Sequence, residues 1–253
     1  MNYLFILQVV LLSTLVTGAT PALAAEALSG QEILKRVDQN QLLDHAIITA
    51  TMIVHGRSGS RTITSKSWVS GKEQSFSEYL SPPREEGKKM LKLGDKLWTY
   101  TPEPNDRIIA IAGHLLKQSI MGSDLSYEDM MSNDSLEEDY DARVIGNATI
   151  DGRPSVVLEL TAKRDNVSYY KRKIWVDTER WITLKTDLLA KSGKLLKQVT
   201  TKEVFRIENR WYPKEVYFKD MLATGGGTEY RIDSMDLKTD IPASQFTKAS
   251  LRR

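Results

Sequence analysis

Residues 119–131 read SIMGSDLSYEDMM, with Asp124, Glu128 and Asp129 set among Met121, Leu125, Met130 and Met131. The surrounding chain alternates in the manner of β-structure, so this stretch is the interruption to be explained. It is either an acid cluster built for catalysis or metal binding, or the start of a short helix that covers something apolar. Capping favours the helix. Ser126 can N-cap it with Asp129 at the third helical position, and Glu128 then sits in the first turn, where negative charge meets the positive helix end. Asp124 is placed to cap the preceding turn. The acids lack the alternating Asp/Asn ladder and distal Glu of a calcium loop. What remains is the apolar side, a methionine-rich surface suited to flexible apolar partners, with ordinary core packing as the alternative.

Outward from this stretch the pattern has period two. AIITATMIVHG (46–56), RTITSKSWVSG (61–71) and SFSEYLSP (75–82) alternate in part and end in Gly or Pro. KKMLKLGDKLWTYTP (88–102) reads as a hairpin around Gly94-Asp95, and RIIAIAG (107–113) as a further strand. After the irregular segment from His114 to Glu138, strands return and run to residue 240, separated by short turns such as Asp151-Gly152 and Ser192-Gly193. Strands joined so tightly must be antiparallel, because a parallel crossover needs a dozen or more residues. A sheet of ten or so strands curls or closes rather than lying flat. Its concave face must be filled by side chains, a helix or a ligand.

Near the start, LSGQEILKRVDQNQLLD (28–44) is the clearest helix, with Ser29 and Glu32 spaced as a capping box and Ile33, Leu34 and Val37 as its apolar stripe, which Leu42 could extend. Before it, residues 1–24 carry no charged side chain and end in the small-x-small Ala22-Leu23-Ala24. That pattern predicts a cleaved secretory signal over 1–24 and a single exported domain over 25–253. The leader lacks Lys and Arg near its start, which keeps an uncleaved anchor as the alternative. The chain has no Cys, hence neither a disulfide nor an N-terminal lipidated cysteine of its own. A net charge of +2 with interspersed signs argues against a nucleic-acid binder.

Catalytic and metal motifs are absent from the sequence. The three histidines, His45, His55 and His114, show no zinc spacing, and there is no nucleophile elbow, phosphate loop or dinucleotide fingerprint. TGGGTEY (224–230) follows one strand and opens another, so it reads as a hairpin loop. A hydrolase using Asp124 or Glu128 with His114 lacks an activated nucleophile. No cofactor or metal is expected.

SGQEILKRVDQN (29–40), YLSPPREEGKKMLKLGDKLWTYTPE (79–103), IMGSDLSYEDMM (120–131) and IWVDTERWITLKTDLL (174–189), in that order, resemble the outer-membrane lipoprotein-sorting protein family, a branch of the LolA/LolB-like carriers. The ending IPASQFT (241–247) resembles the late helical turn of those carriers. The resemblance implies a mainly β, strongly curved antiparallel half-barrel with an N-terminal helix and a helical lid over its concave face. It also implies a non-enzymatic periplasmic carrier that shields acyl chains of lipoproteins or lipids between an inner-membrane transporter of RND or ABC type and an outer-membrane acceptor. The carrier is expected to be a monomer, and the alternative within the same architecture is a periplasmic lipid or lipoprotein sensor that regulates a membrane partner. Trp98, Tyr100, Met121, Leu125, Met130 and Met131 are the expected cavity or lid residues, followed by Trp68, Met90 and Trp175. LolA proper holds its lid with a strand arginine that has no counterpart in WVSGKEQSF (68–76).

Overall fold

The computed structural model describes residues 28–131, 135–165 and 167–253. The expected leader lies outside the described residues. The first element is α1 (Gly30–Gln41). Ser29 caps it as its spacing predicts, its hydroxyl accepting from the Glu32 N–H at 3.1 Å. The reciprocal arm of the box is not made, because the Glu32 carboxylate pairs instead with Arg36 one turn on, at 3.0 Å. Ile33, Leu34 and Val37 are buried, whereas Leu42 is exposed beyond the helix end.

Two antiparallel meanders follow. The first comprises β1 (His45–Gly56), β2 (Gly59–Ser70), β3 (Gln74–Ser81), β4 (Lys89–Leu93), β5 (Lys96–Thr101) and β6 (Arg107–Ile111). The second comprises β7 (Tyr140–Ile150), β8 (Arg153–Ala162), β9 (Lys171–Asp177), β10 (Ile182–Leu189), β11 (Leu195–Ile207), β12 (Arg210–Asp220) and β13 (Gly227–Asp236). Pairing of β1 with β13 joins them into one 13-stranded sheet, in the order β6-β5-β4-β3-β2-β1-β13-β12-β11-β10-β9-β8-β7. At the Asp151-Gly152 turn both residues have positive φ, 47° and 77°, as a two-residue hairpin of the primed type requires.

The two sheet edges, β6 and β7, are consecutive in sequence. Residues 112–139 therefore run from one edge to the other, through a 3-10 turn (Gly113–Lys117), α2 (Tyr127–Met131) and α3 (Leu136–Asp139). The curl of the sheet follows from what this connection touches. Lys92 on β4 donates to the Met131 carbonyl at 3.0 Å, and Lys197 on β11 pairs with Asp129 at 2.5 Å. On a flat sheet β4 and β11 would stand six spacings apart, about 29 Å. Both reach residues two apart on one helix, so the sheet must bend around it.

The concave face is filled from both ends. Over β7–β9, α1 sets Ile33, Leu34 and Val37 against Tyr140, Leu158, Leu160, Ile174 and Val176. Over the rest, residues 115–131 cover Met52, Ile63, Tyr79, Met90 and Leu97. On the convex face the closing 3-10 turns, Ala243–Gln245 and Lys248–Arg252, bring Phe246 and Leu251 onto Phe76 and Leu91.

At Gly30 the helix meets β7 backbone to backbone. A Cβ there would lie 2.6 Å from the Ala142 carbonyl oxygen and 2.8 Å from its carbon. Gly30→Ala is expected to cost about 1–3 kcal/mol by overpacking, which is roughly 2–10 °C in Tm for a domain of this size. An unchanged thermal midpoint would show that α1 shifts freely on the sheet.

Candidate functional site

The lid is shaped by a tight loop. Ile120 N–H donates to the Leu125 carbonyl at 2.8 Å, and Ser119 and Ser126 form an isolated bridge. The turn between them needs left-handed backbone at Met121, φ 50°, and Gly122, φ 70°. Gly122 adopts this without cost, while Met121 is held there with its carbonyl accepting from Arg61. The loop drops Ile120 and Leu125 onto the sheet, both buried, with Met121 and Met130 beside them. Beneath lie Met52 and Val54 of β1, Ile63 of β2, Tyr79 of β3, Phe218 of β12 and Tyr230 of β13.

The floor is not wholly apolar. Ser65, Ser67 and Ser77 line it with Tyr79 and Tyr230, and Ser67 and Ser77 share a hydrogen bond of 2.8 Å. Burial pushes the Tyr230 hydroxyl up to about 12, and the neighbouring Asp233 adds to this. Burial raises Tyr79 further, so both stay neutral phenols. The space left under the lid is only about 30 Å³. That is room for about one water, and the lid side chains occupy the rest.

Polar clasps hold the lid at several points. The carboxylate of Asp124 accepts from the Asp220 N–H and from the Thr228 hydroxyl, both at 2.8 Å, while Asp124 N–H donates to Thr228 Oγ1 at 2.9 Å. This corrects the expectation that Asp124 caps its own preceding turn. It is a tertiary clasp onto β12 and β13. Asp129 does serve the helix start, accepting from the Ser126 N–H at 2.7 Å, but the Ser126 hydroxyl turns to the same carboxylate. The other arm of the capping box is therefore missing. Asp129 also accepts from the Tyr169 hydroxyl at 2.7 Å and pairs with Lys197. Glu128, the remaining acid, lines a separate cleft.

Burial tends to raise the Asp129 carboxyl, but the Lys197 ammonium, the Ser126 N–H and the Tyr169 hydroxyl outweigh it and hold the group below the usual carboxylate range. A depressed folded value makes the clasp's contribution complete above the unfolded value, near 4, and lost as pH falls through the folded one. The Met130 methyl resonance is expected to be constant from neutral pH to about 5 and to shift only below about 4. A titration unaltered by Asp129→Asn would assign the step elsewhere.

The second opening is a cleft of about 710 Å³ where the two ends of the sheet face each other. One wall carries Gly94 and Asp95, Leu116, Glu128 and Met131; the other carries Leu136, Asp139, Tyr140, Arg164, Val167 and Arg172. Among the described residues no group of three or more His, Cys, Asp or Glu is placed to hold a metal, and no helix is long and apolar enough to cross a membrane. His114 is exposed, and both oxygens of Asp124 are engaged in its clasp.

The structure brings together only part of the expected residue set. Met121, Leu125 and Met130 gather over β1–β3 and β13, and Met131 packs beside Met90, Leu97 and Ile111. Trp98 and Tyr100 are separated from them, which corrects the expected grouping. Leu97 faces the lid, so strand alternation turns Trp98 and Tyr100 to the convex side, against Phe76, Leu91, Phe246 and Leu251. Lys248 covers the Trp98 ring at 4.2 Å. Trp68 lies on that face too, edge-on to Phe76 at 5.7 Å, and Trp175 sits between the ammoniums of Lys173 and Lys185 at 4.9 and 4.6 Å. Met90 faces the lid. The sequence reading missed Met52, Ile63, Tyr79, Tyr230 and Lys197, whose only signal is alternation within their strands.

A family model described as an uncharacterized protein matches residues 71–253. Among curated proteins, no sequence matches. The fold is similar to that of a DUF1329 family protein from Desulfovibrio piger (TM-score 0.81, 21% identity, 88% of this chain and 98% of that one). It is similar to an outer membrane lipoprotein-sorting protein domain from Vibrio parahaemolyticus (0.78, 23%, 88% and 98%). A LolA superfamily protein from Nitrosomonas europaea also shares it (0.73, 24%, 88% and 100%). The protein belongs to the family of the matched model, and its half-barrel is the LolA-like fold of the lipoprotein-sorting proteins.

Proposed function

We propose that this protein is a non-enzymatic periplasmic carrier that shields the acyl chains of a lipid or lipoprotein between its curled sheet and its lid. The observation that carries the reading is the seating of Ile120, Leu125 and Met130 on an apolar floor through a few polar clasps. Ligand pockets usually measure about 300–1,000 Å³. The roughly 30 Å³ under the closed lid is far below this, so loading requires those side chains to lift away. The chain then takes their place on Met52, Ile63 and Tyr79.

The energetics suit exchange rather than release into water. Each buried methylene is worth about 0.8 kcal/mol, or roughly 10 kcal/mol for a long acyl chain. Transfer between cavity and bilayer, or between cavity and a partner protein, nearly cancels that term. The balance is then set by lid opening, a matter of a few kcal/mol. The apolar run that ends in Ala22-Leu23-Ala24 agrees with export to the periplasm, and an inner-membrane transporter and outer-membrane acceptor are the donor and recipient that such carriage needs.

One observation favours the sensor reading. The β12–β13 turn exposes Met221 by 46% and Leu222 by 59%, next to Asp220, whose N–H is held by the lid residue Asp124. A membrane partner docked on that tip would feel the state of the lid. Both readings need lipid. Native mass spectrometry of protein purified from periplasm without detergent, and again after solvent extraction, is expected to show a co-purifying phospholipid or acylated peptide. An empty protein that also fails to take up a fluorescent acyl probe would overturn the carrier.

A further inference from the structure

Arg172 on β9 lines the wide cleft, and it forms no salt bridge with another of the described residues. The guanidinium lies over the ring of Tyr140 at 4.9 Å and that of Tyr169 at 5.7 Å. Its Nε is buried and has no hydrogen-bond partner, alone in this respect among the side-chain atoms of the described residues. Of the other cations that line the cleft, Lys117 is exposed to solvent, and Arg164 and Lys92 are engaged. Arg164 pairs with Asp139 at 2.6 Å, and Lys92 donates to the carbonyls of Lys72 and Met131 at 2.9 and 3.0 Å. A buried donor left unsatisfied costs stability, and such groups call for an explanation in a missing partner. Two aromatic faces fix the planar fork in place, which reduces the freedom it loses on meeting an anion.

The cleft also has an apolar side that leads to the lid. Met131 lines it and at the same time packs under α2 with Met90, Leu97 and Ile111. Its volume, about 710 Å³, lies within the range of ligand sites. Glu73, Asp95 and Glu128 line the cleft as well, beside Asp139, which is paired with Arg164, and Asp165, which is paired with Lys191, so selection of an anion would rest on Arg172 rather than on overall charge.

We propose that this cleft recognises the phosphodiester headgroup of the cargo lipid, with Arg172 as its ligand and the acyl chains running past Met131 beneath the lid. The assignment rests on the carrier reading and names its cargo as a phospholipid. Arginine suits it because the guanidinium fork matches two phosphate oxygens at once.

The test compares dioctanoyl-phosphatidylglycerol with dioctanoylglycerol, which has the same chains and no phosphate. Wild type is expected to bind the phospholipid roughly 10- to 100-fold more tightly, the scale of a charge-assisted hydrogen bond. Arg172→Met should erase most of that gap while leaving the dioctanoylglycerol affinity unchanged, which also reports that the variant is folded. Arg172→Lys should restore part of it. Equal affinity for the two lipids in wild type, or a gap that survives in Arg172→Met, overturns the assignment and leaves the carrier standing. Binding of neither lipid overturns both. In that case, inorganic phosphate bound through Arg172 would mark a free-phosphate site instead.

Discussion

Lys197→Met is expected to loosen the lid by about 3–5 kcal/mol, because it strands the Asp129 carboxylate without its countercharge. The pair is largely buried, with side-chain exposures of 12% for Lys197 and 14% for Asp129. Ser126 and Tyr169 would still donate to the carboxylate but cannot neutralise it. The closed lid is the state that pays this penalty, so it opens while the sheet stays folded. Amide exchange across residues 119–131 should accelerate by two orders of magnitude or more, with the core strands β8 and β9 unaffected. Adding Asp129→Asn should recover most of the protection, since removing both charges is far milder than removing one. Protection left intact in the single variant would mean that the other clasps suffice.

Leu125→Glu is expected to give a folded protein that no longer retains acyl chains. Leu125 sits among Met52, Val54, Ile63 and Tyr79, where a carboxylate would be buried without a partner. The cost of several kcal/mol falls on the closed lid alone. The α1 cluster and the convex cluster under Phe246 share no residue with this site, so circular dichroism should be unchanged. Leu125→Ala is the milder comparison at about 2–5 kcal/mol. A folded Leu125→Glu variant with normal uptake of a fluorescent acyl probe would remove Leu125 from the site.

Much of the architecture is legible in local pattern. Ser29 before Ile33, Leu34 and Val37 announces α1 and its buried face. The turns at Asp151-Gly152 and Ser192-Gly193 make the neighbouring strands antiparallel, and the number of strands makes a flat sheet untenable. The stretch at 119–131 announces a short capped helix with an apolar side. Its acids are less legible. Asp124 and Asp129 have sequence spacings that suit local capping, yet Asp124 spends both oxygens on Asp220 and Thr228, about a hundred positions away. A long-range hydrogen bond leaves no spacing signature.

The sidedness of the aromatic residues is the clearest case. Trp98 and Tyr100 alternate correctly for a strand, but alternation defines two faces without saying which one is concave. That is decided when the C-terminal turns lay Phe246 and Leu251 on one side and residues 115–131 close the other. The lid's restraint is decided the same way. With no arginine in the 68–76 stretch, it is Lys92 and Lys197, on strands brought together only by the curl, that hold α2 from two sides. By itself the sequence determined the strands, the helix starts and the apolar character of the lid, because those depend on neighbours within a few residues. Only the tertiary structure decided which face is inside, what clasps the lid and where the Arg172 guanidinium meets the cleft, because those depend on the bending of thirteen strands around one short helix.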